Sequence, residues 1–206
     1  MLIGTYARNS AGKHACLDTM ADWGLDVPDT PPMAVHRGRI DLLERHLSAD
    51  PGLLSRRFSL AEIFPHEVGM MEDDALHATP LDGVTLLHMA VDFDEDEIVR
   101  WLLDRDADPN ATASVDGEGL GGQTPLFHTV VTLGRKDDTL ACVLLDAGVD
   151  PRAPATLRKQ LRDMGDPEKE RMREFRDVTP VGYARQFAEP ILINDAAVSA
   201  ITSRAP

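Results

Sequence analysis

Thr85-Leu86-Leu87-His88-Met89-Ala90 is followed, after an acidic run, by Glu97-Ile98-Val99-Arg100-Trp101-Leu102-Leu103 and then by Ala107-Asp108-Pro109-Asn110. The second run places Ile98, Val99, Leu102 and Leu103 at the spacing of one apolar helix face. The phrase returns downstream. Thr124-Pro125-Leu126 precedes Leu140-Ala141-Cys142-Val143-Leu144-Leu145-Asp146-Ala147-Gly148-Val149-Asp150-Pro151, and Thr179-Pro180-Val181-Gly182-Tyr183-Ala184 opens a third copy. Threonine before proline starts a helix: the hydroxyl caps free N–H groups, and proline in the first turn loses no hydrogen bond. Gly148 and Gly24 stand where a helix ends in a left-handed residue.

Weaker copies lie upstream. Pro31 to Gly38 and then Ile40 to Leu47 read as a helix, a turn and a second helix. Ala15 to Val27 reads as the second helix of an opening unit, with Tyr6 and Ala7 in its first helix. The repeated phrase resembles the ankyrin repeat, whose unit reads TPLHxA, a turn, and a second helix closing on LLxxGADxN. The match is nearest over residues 83–110, with Leu86 for the proline, Asp94 for the turn glycine and Asp106 for the closing glycine. One such helix pair cannot bury its own apolar face, and stacking pairs makes the core. The expected fold is therefore all-α: an ankyrin-repeat solenoid of about five stacked helix-turn-helix units. The units fall at about 1–28, 29–82, 83–122, 123–177 and 178–206, in one domain over 1–206.

The spacing also predicts two long inter-repeat insertions, because Thr85 to Thr124 is 39 residues and Thr124 to Thr179 is 55. They fall at 52–82 and 152–177. The first holds Ser59-Leu60-Ala61-Glu62, a capping box for a short helix. The second is expected to form two short helices, Ala155 to Arg162 and Glu168 to Arg176, parted by Gly165-Asp166-Pro167. Like charges four residues apart, Arg158 with Arg162 and Glu170 with Glu174, leave neither helix self-stabilised.

Composition bounds the function. The 206 residues carry a net charge of −14. That argues against a duplex nucleic-acid binder and against docking on anionic lipid, both of which need a basic face. Aromatics are 5% of the chain, so the core is expected from aliphatic helix packing. No stretch is apolar for long enough to span a membrane, and no secretory signal is visible. Cys16 and Cys142 fit neither a zinc pattern nor a disulfide framework. A cytoplasmic, monomeric protein is expected. Arg outnumbers Lys by 17 to 4, which with the many Asp and Ala residues points to a GC-rich bacterial source. The charge is also located. Residues 62–118 hold 16 Asp or Glu against Arg100 and Arg105, a balance of −14, whereas 152–176 is basic at +3.

Motifs for chemistry fail on context. Gly117-Glu118-Gly119-Leu120-Gly121-Gly122 spells GxGxxG, but a polar run precedes it where a strand is needed, so it reads as a flexible loop tip. A calcium loop from Asp92 would need glycine at Glu97 and glutamate at Leu103. A phosphate loop around Gly12-Lys13 would need glycine at Ala7 and Ser or Thr at His14. The seven histidines form no HExxH, and no GxSxG elbow occurs. No catalytic residue, metal or cofactor is expected.

The resemblance implies a non-catalytic scaffold that binds a protein partner through the concave face and the loop tips. The acidic centre would steer a basic partner. An inhibitor or immunity protein for a basic toxin or enzyme is the narrower alternative. A small-molecule-binding protein or enzyme with a pocket under an insertion is the other. The partner contacts implied are Arg37, Asp82, Val84, Asp92, Phe93, Asp94, Gln123, Thr132, Gln186 and Phe187. Phe93 and Phe187 fit either an exposed aromatic anchor or a packing role. His88 holds the family's structural histidine position.

Overall fold

The computed structural model of the chain describes residues 10–66, 78–163, 166–187 and 190–204. Tyr6, Ala7 and the acids at 67–77 lie outside the described residues. In chain order the α-helices are α1 (Ser10–Asp22), α2 (Pro31–His36), α3 (Ile40–Ala49), α4 (Leu60–Ile63), α5 (Leu86–Asp92), α6 (Asp96–Leu103), α7 (Phe127–Val130) and α8 (Thr139–Asp146). Strands β1 (Ala155–Asp163) and β2 (Asp166–Val178) follow, then α9 (Pro180–Gln186) and α10 (Asp195–Arg204).

Local chemistry sets the helix starts. The Met33 and Gly182 N–H groups donate to the Thr30 and Thr179 hydroxyls at 3.3 and 3.2 Å, with Pro31 and Pro180 opening α2 and α9. Ser59 and Glu62 form the expected capping box of α4. Gly38 and Gly148 close turns at φ 64° and 88°. Asp94 and Asp106, which replace glycine in the repeat phrase, take the same left-handed conformation at φ 55° and 63°. Aspartate tolerates that region better than most residues.

The first helices pack in a row: α2 against α5, α5 against α7, α7 against α9. Helices α3 and α6 pair with α2 and α5, and α10 packs on α7, α8 and α9. Ile98, Val99, Trp101 and Leu102 of α6 are buried, as are Leu140, Ala141 and Leu144 of α8. On the other side, backbone hydrogen bonds step from loop to loop. Phe58 pairs with Val84, Ser114 N–H donates to the Gly83 carbonyl, and Gly121 exchanges bonds with Thr156.

The all-α expectation of five stacked units is overturned. Strands β1 and β2 form a two-stranded antiparallel sheet. The basic insertion is thus a hairpin, not two helices. The ladder sets Arg158 opposite Glu174, an unlike charge where a helix would bring like charges together. Leu157 and Phe175 face each other at the base, both buried. Nor does α1 build an opening unit. It lies across the α2–α3 turn and the α5–α6 turn, with His14 against Gly38 and Ser10 Oγ donating to the Asp94 carbonyl at 3.4 Å.

Candidate protein-binding faces

The centre of the row is tied by histidine. In α5, His88 Nδ1 accepts from the Thr85 N–H at 3.3 Å and lies 2.9 Å from the Thr85 hydroxyl. Its Nε2 donates to the Gln123 carbonyl at 2.9 Å, joining α5 to the segment leading into α7. Burial, with His128 beside it, lowers the His88 pKa to about 3, so the ring is neutral. His128 Nδ1 lies 3.0 Å from the buried Asp92 carboxylate. These histidines hold the fold together.

Every residue of α5 and α7 is buried. Part of the cover is the first insertion, which runs over the row of first helices. His36 of α2 donates to the Ile63 carbonyl at 2.9 Å. The Thr79 hydroxyl donates to the Val131 carbonyl at 2.9 Å, at the end of α7. Tyr183 of α9 donates to the Ala78 carbonyl at 3.4 Å. Phe58, Ile63, Phe64 and Leu81 bury their side chains there. The insertion therefore packs on the helix face that the resemblance assigns to a partner.

That arrangement decides where the ten sequence candidates stand. Val84, Asp92, Phe93, Gln123, Thr132 and Phe187 are buried. Phe93 packs edge-on to His36 with ring centres 4.5 Å apart. Phe187 stacks on Phe175 of the hairpin at 5.8 Å. Gln123 Nε2 donates to the Pro80 carbonyl, and the Thr132 hydroxyl accepts from the Gly134 N–H. Arg37 is half-buried and donates to Asp18 of α1 at 3.0 Å. Asp82 and Gln186 are exposed, although Asp82 accepts from the Leu60 N–H at 2.9 Å. Asp94 is half-buried and accepts from the Arg135 N–H at 2.8 Å. Burial pushes its carboxyl up to about 6, against the pull of that N–H and the Arg135 guanidinium.

The structure also brings forward residues that the phrase matching passed over. Lys13 and His14 of α1 converge on the buried Glu95 at 2.8 and 3.0 Å. Arg135 spans Asp96 at 2.5 Å and Asp137 at 3.7 Å, clasping the α5–α6 turn. None of these three residues belongs to a repeat motif. In α1 the contacts come from polar residues at helical spacing, Ser10, Lys13, His14 and Asp18, which leave no apolar periodicity.

Among the described residues, two open surfaces adjoin the row of helices. On the loop between α6 and α7, Asp104, Asp106, Asp108, Asp116 and Glu118 are exposed. The GxGxxG stretch on this loop is an ordered turn. Asp116 accepts from the Glu118 and Leu120 N–H groups at 2.8 and 2.9 Å. A Cβ on Gly121 would lie 2.0 Å from the Ser114 carbonyl oxygen, so the strand crossing requires glycine. From the basic hairpin, Arg158 reaches both Glu118 at 2.5 Å and Glu174 at 2.7 Å. The second surface is a cleft of about 450 Å³ beside the first insertion, with Leu53, Phe58 and prolines in its wall. In its lining Arg56 pairs with Glu62, His46 lies 3.0 Å from Asp29, and Asp50 accepts from the Gly52 N–H. Among the described residues no group of three or more His, Cys, Asp or Glu is placed to hold a metal ion, and no helix is long and apolar enough to cross a membrane.

No curated protein matches the chain. The family model of the ankyrin repeat matches residues 82–114, which take in α5, α6 and the start of the acidic loop. This is the segment whose histidine bridges to Gln123 and whose two aspartates hold glycine conformations. Ankyrin repeats are typically non-catalytic modules of protein–protein interaction, and residues 82–114 of this chain are similar to one such repeat.

Proposed function

We propose that the chain is a non-catalytic scaffold that binds a basic protein through the acidic loop between α6 and α7. The similarity of 82–114 to an ankyrin repeat carries the reading as a protein-interaction module. The choice of surface rests on accessibility. The row of first helices is covered by the chain itself, whereas Asp104, Asp106, Asp108 and Glu118 face solvent. Of the sequence candidates, Asp82 and Gln186 keep open side chains for contact, and Arg37 and Asp94 lend part of theirs. The chain acts as a monomer in the cytoplasm of a bacterium. Inhibition of a basic toxin or enzyme is the narrower form of the same activity.

Surface acids steer a basic partner into encounter, and salt screens that attraction over about 8 Å at physiological ionic strength. The test is capture on the immobilised full chain, identification of the bound protein, and its association rate as salt is raised. The expected outcome is an association rate that falls at least tenfold between low and high salt. Replacement of Asp104, Asp106 and Asp108 by Asn should flatten that dependence. A partner whose association rate ignores salt would overturn the basic-partner reading. If the captured partner is an enzyme and the chain suppresses its activity, the inhibitor form holds.

The cleft supports a second reading. Its volume of about 450 Å³ is in the range that holds small ligands. A ligand there would stabilise the fold, and Phe58→Ala would remove that gain. A compound screen by thermal unfolding that finds no such ligand removes this reading.

A further inference from the structure

Helix α1 is built inside out. The residues withdrawn from solvent are Ser10, Lys13, His14, Leu17, Asp18 and Ala21, one stripe at helical spacing. Leucine 17 is the single large apolar residue among them. The exposed side carries Cys16 and Met20, and Trp23, directly after the helix, is exposed at 85%. What seats α1 is ionic. Lys13 Nζ lies 2.8 Å from Glu95 and 4.7 Å over the Phe93 ring. His14 reaches the same carboxylate at 3.0 Å, and Asp18 accepts from Arg37 at 3.0 Å. Lys13 and Glu95 are both buried, at 8% and 4% exposure.

We propose that the turns holding Arg37, Phe93 and Glu95 form a docking surface for a helix of the protein partner that sets a lysine against Glu95 and a carboxylate against Arg37, and that α1 is the intramolecular occupant which that helix replaces. The inference rests on the reading of the chain as a binder of a basic protein. The chemistry of the occupant is set by α1 itself: a lysine over the Phe93 ring and against Glu95, with an apolar residue four positions on, where Leu17 lies. Exchange is feasible because α1 buries little apolar surface and leaves its apolar stripe outside. A buried ion pair holds only while both charges are present, since either alone lacks compensation for lost hydration. Gly24, at φ 94°, ends the helix and begins the segment leading to α2. Charge complementarity, a lysine for Glu95 and a carboxylate for Arg37, selects such a helix over a second copy of the chain packed on the outward stripe.

Hydrogen exchange on the full chain tests the strap without any partner, so it can fail while partner capture succeeds. Lys13→Ala and Glu95→Gln are each expected to speed exchange across 10–22 at least tenfold, with protection at 86–92 unchanged. The probe for docking is a labelled synthetic peptide of residues 10–25. It should bind the Lys13→Ala chain at least tenfold more tightly than the parent chain, and adding Glu95→Gln should abolish the gain. Unchanged exchange at 10–22 in the Lys13→Ala chain would overturn the proposal. So would peptide binding that is equal in the parent and Lys13→Ala chains. Binding that survives Glu95→Gln would assign the peptide to the outward stripe, and would overturn it as well.

Discussion

Residues 86–103 and the hairpin at 155–178 both join two short elements through a turn, but they obtain their stability from different places. All of α5 is buried, and α6 buries Ile98, Val99, Trp101 and Leu102. The hairpin buries its base, at Ala155, Leu157, Phe175 and Val178, and exposes residues 172–174. The helix pair is held by apolar packing that local periodicity announces. The outer hairpin is held by a backbone ladder with charged residues across it. Its pairs, such as Arg158 with Glu174, are 16 residues apart in sequence, and no local window sees them.

The largest effect should therefore come from the helix pair. Leu87→Ala removes a side chain that is 1% exposed. It should cost about 3 kcal/mol in chemical denaturation, the usual scale for a buried leucine. A loss below about 1 kcal/mol would mean that this core relaxes around the cavity and is not close-packed.

His88→Ala is the next step down. It leaves the buried Thr85 N–H without its acceptor and takes from the Gln123 carbonyl one of its two donors, the other being the Ala113 N–H, at a cost of about 2 kcal/mol. It also changes the pH dependence. The folded pKa is about 3 and the unfolded value 6.5. The unfolded chain therefore takes up a proton that the folded chain refuses. His88 contributes its full stability above pH 6.5, and loses it as pH falls toward 3. Asp94 runs the other way. Its carboxyl is raised from 3.8 to about 6, so its ionisation weakens the fold as pH rises through that window. Denaturation from pH 7 to pH 4 should show a shallower acid loss in His88→Ala than in the parent chain. Equal slopes would show that His88 is not the group being protonated on unfolding.

These two residues mark how far sequence carries. The helix pairs from α2 onward, the capping box of α4 and the role of His88 were legible, because each depends on neighbours within a few positions. The number of stacked units and the all-α class were not. Recurrences of one phrase do not build the same unit here: α1 crosses two turns, α7 has four residues, and the second insertion is a sheet. The candidate contacts were legible as positions in the repeat but not as surface. Burial of Val84, Phe93 and Gln123 depends on the first insertion and α1 folding back on the row, and long-range packing of that kind leaves no periodic trace.

A smaller effect of opposite sign is expected at the end of α6. Asp106 holds φ 63° where the repeat phrase calls for glycine, and it is exposed. Asp106→Gly should stabilise the chain by about 0.5 kcal/mol by removing the strain of a side chain in the left-handed region. A loss would mean that the Asp106 carboxylate makes a contact worth more than that strain. At Asp94, by contrast, the same change would also remove the acceptor for the Arg135 N–H, so it cannot isolate the backbone contribution.

The smallest expected change lies in the outer hairpin, and it separates the two regions most clearly. Arg158 and Glu174 lie directly across the ladder, 2.7 Å apart, and both are solvent-accessible. Exposed ion pairs are screened, and ordering two long side chains offsets much of their attraction. Arg158→Ala should therefore leave the denaturation midpoint within experimental scatter. Its effect should be local. Amide exchange at 157–159 and 173–175 should quicken, because cross-strand attraction opposes opening of the ladder there. Exchanging the two residues, Arg158→Glu with Glu174→Arg, should restore the parent rates in that segment, since the swap keeps opposite charges across the ladder. It also places a glutamate near Glu118, so the link to the acidic loop should stay broken. If the swap leaves exchange as fast as Arg158→Ala does, then the contact with Glu118, and not the cross-strand pair, is what steadies the hairpin. The basic insertion would then owe its order to the acidic loop beside it.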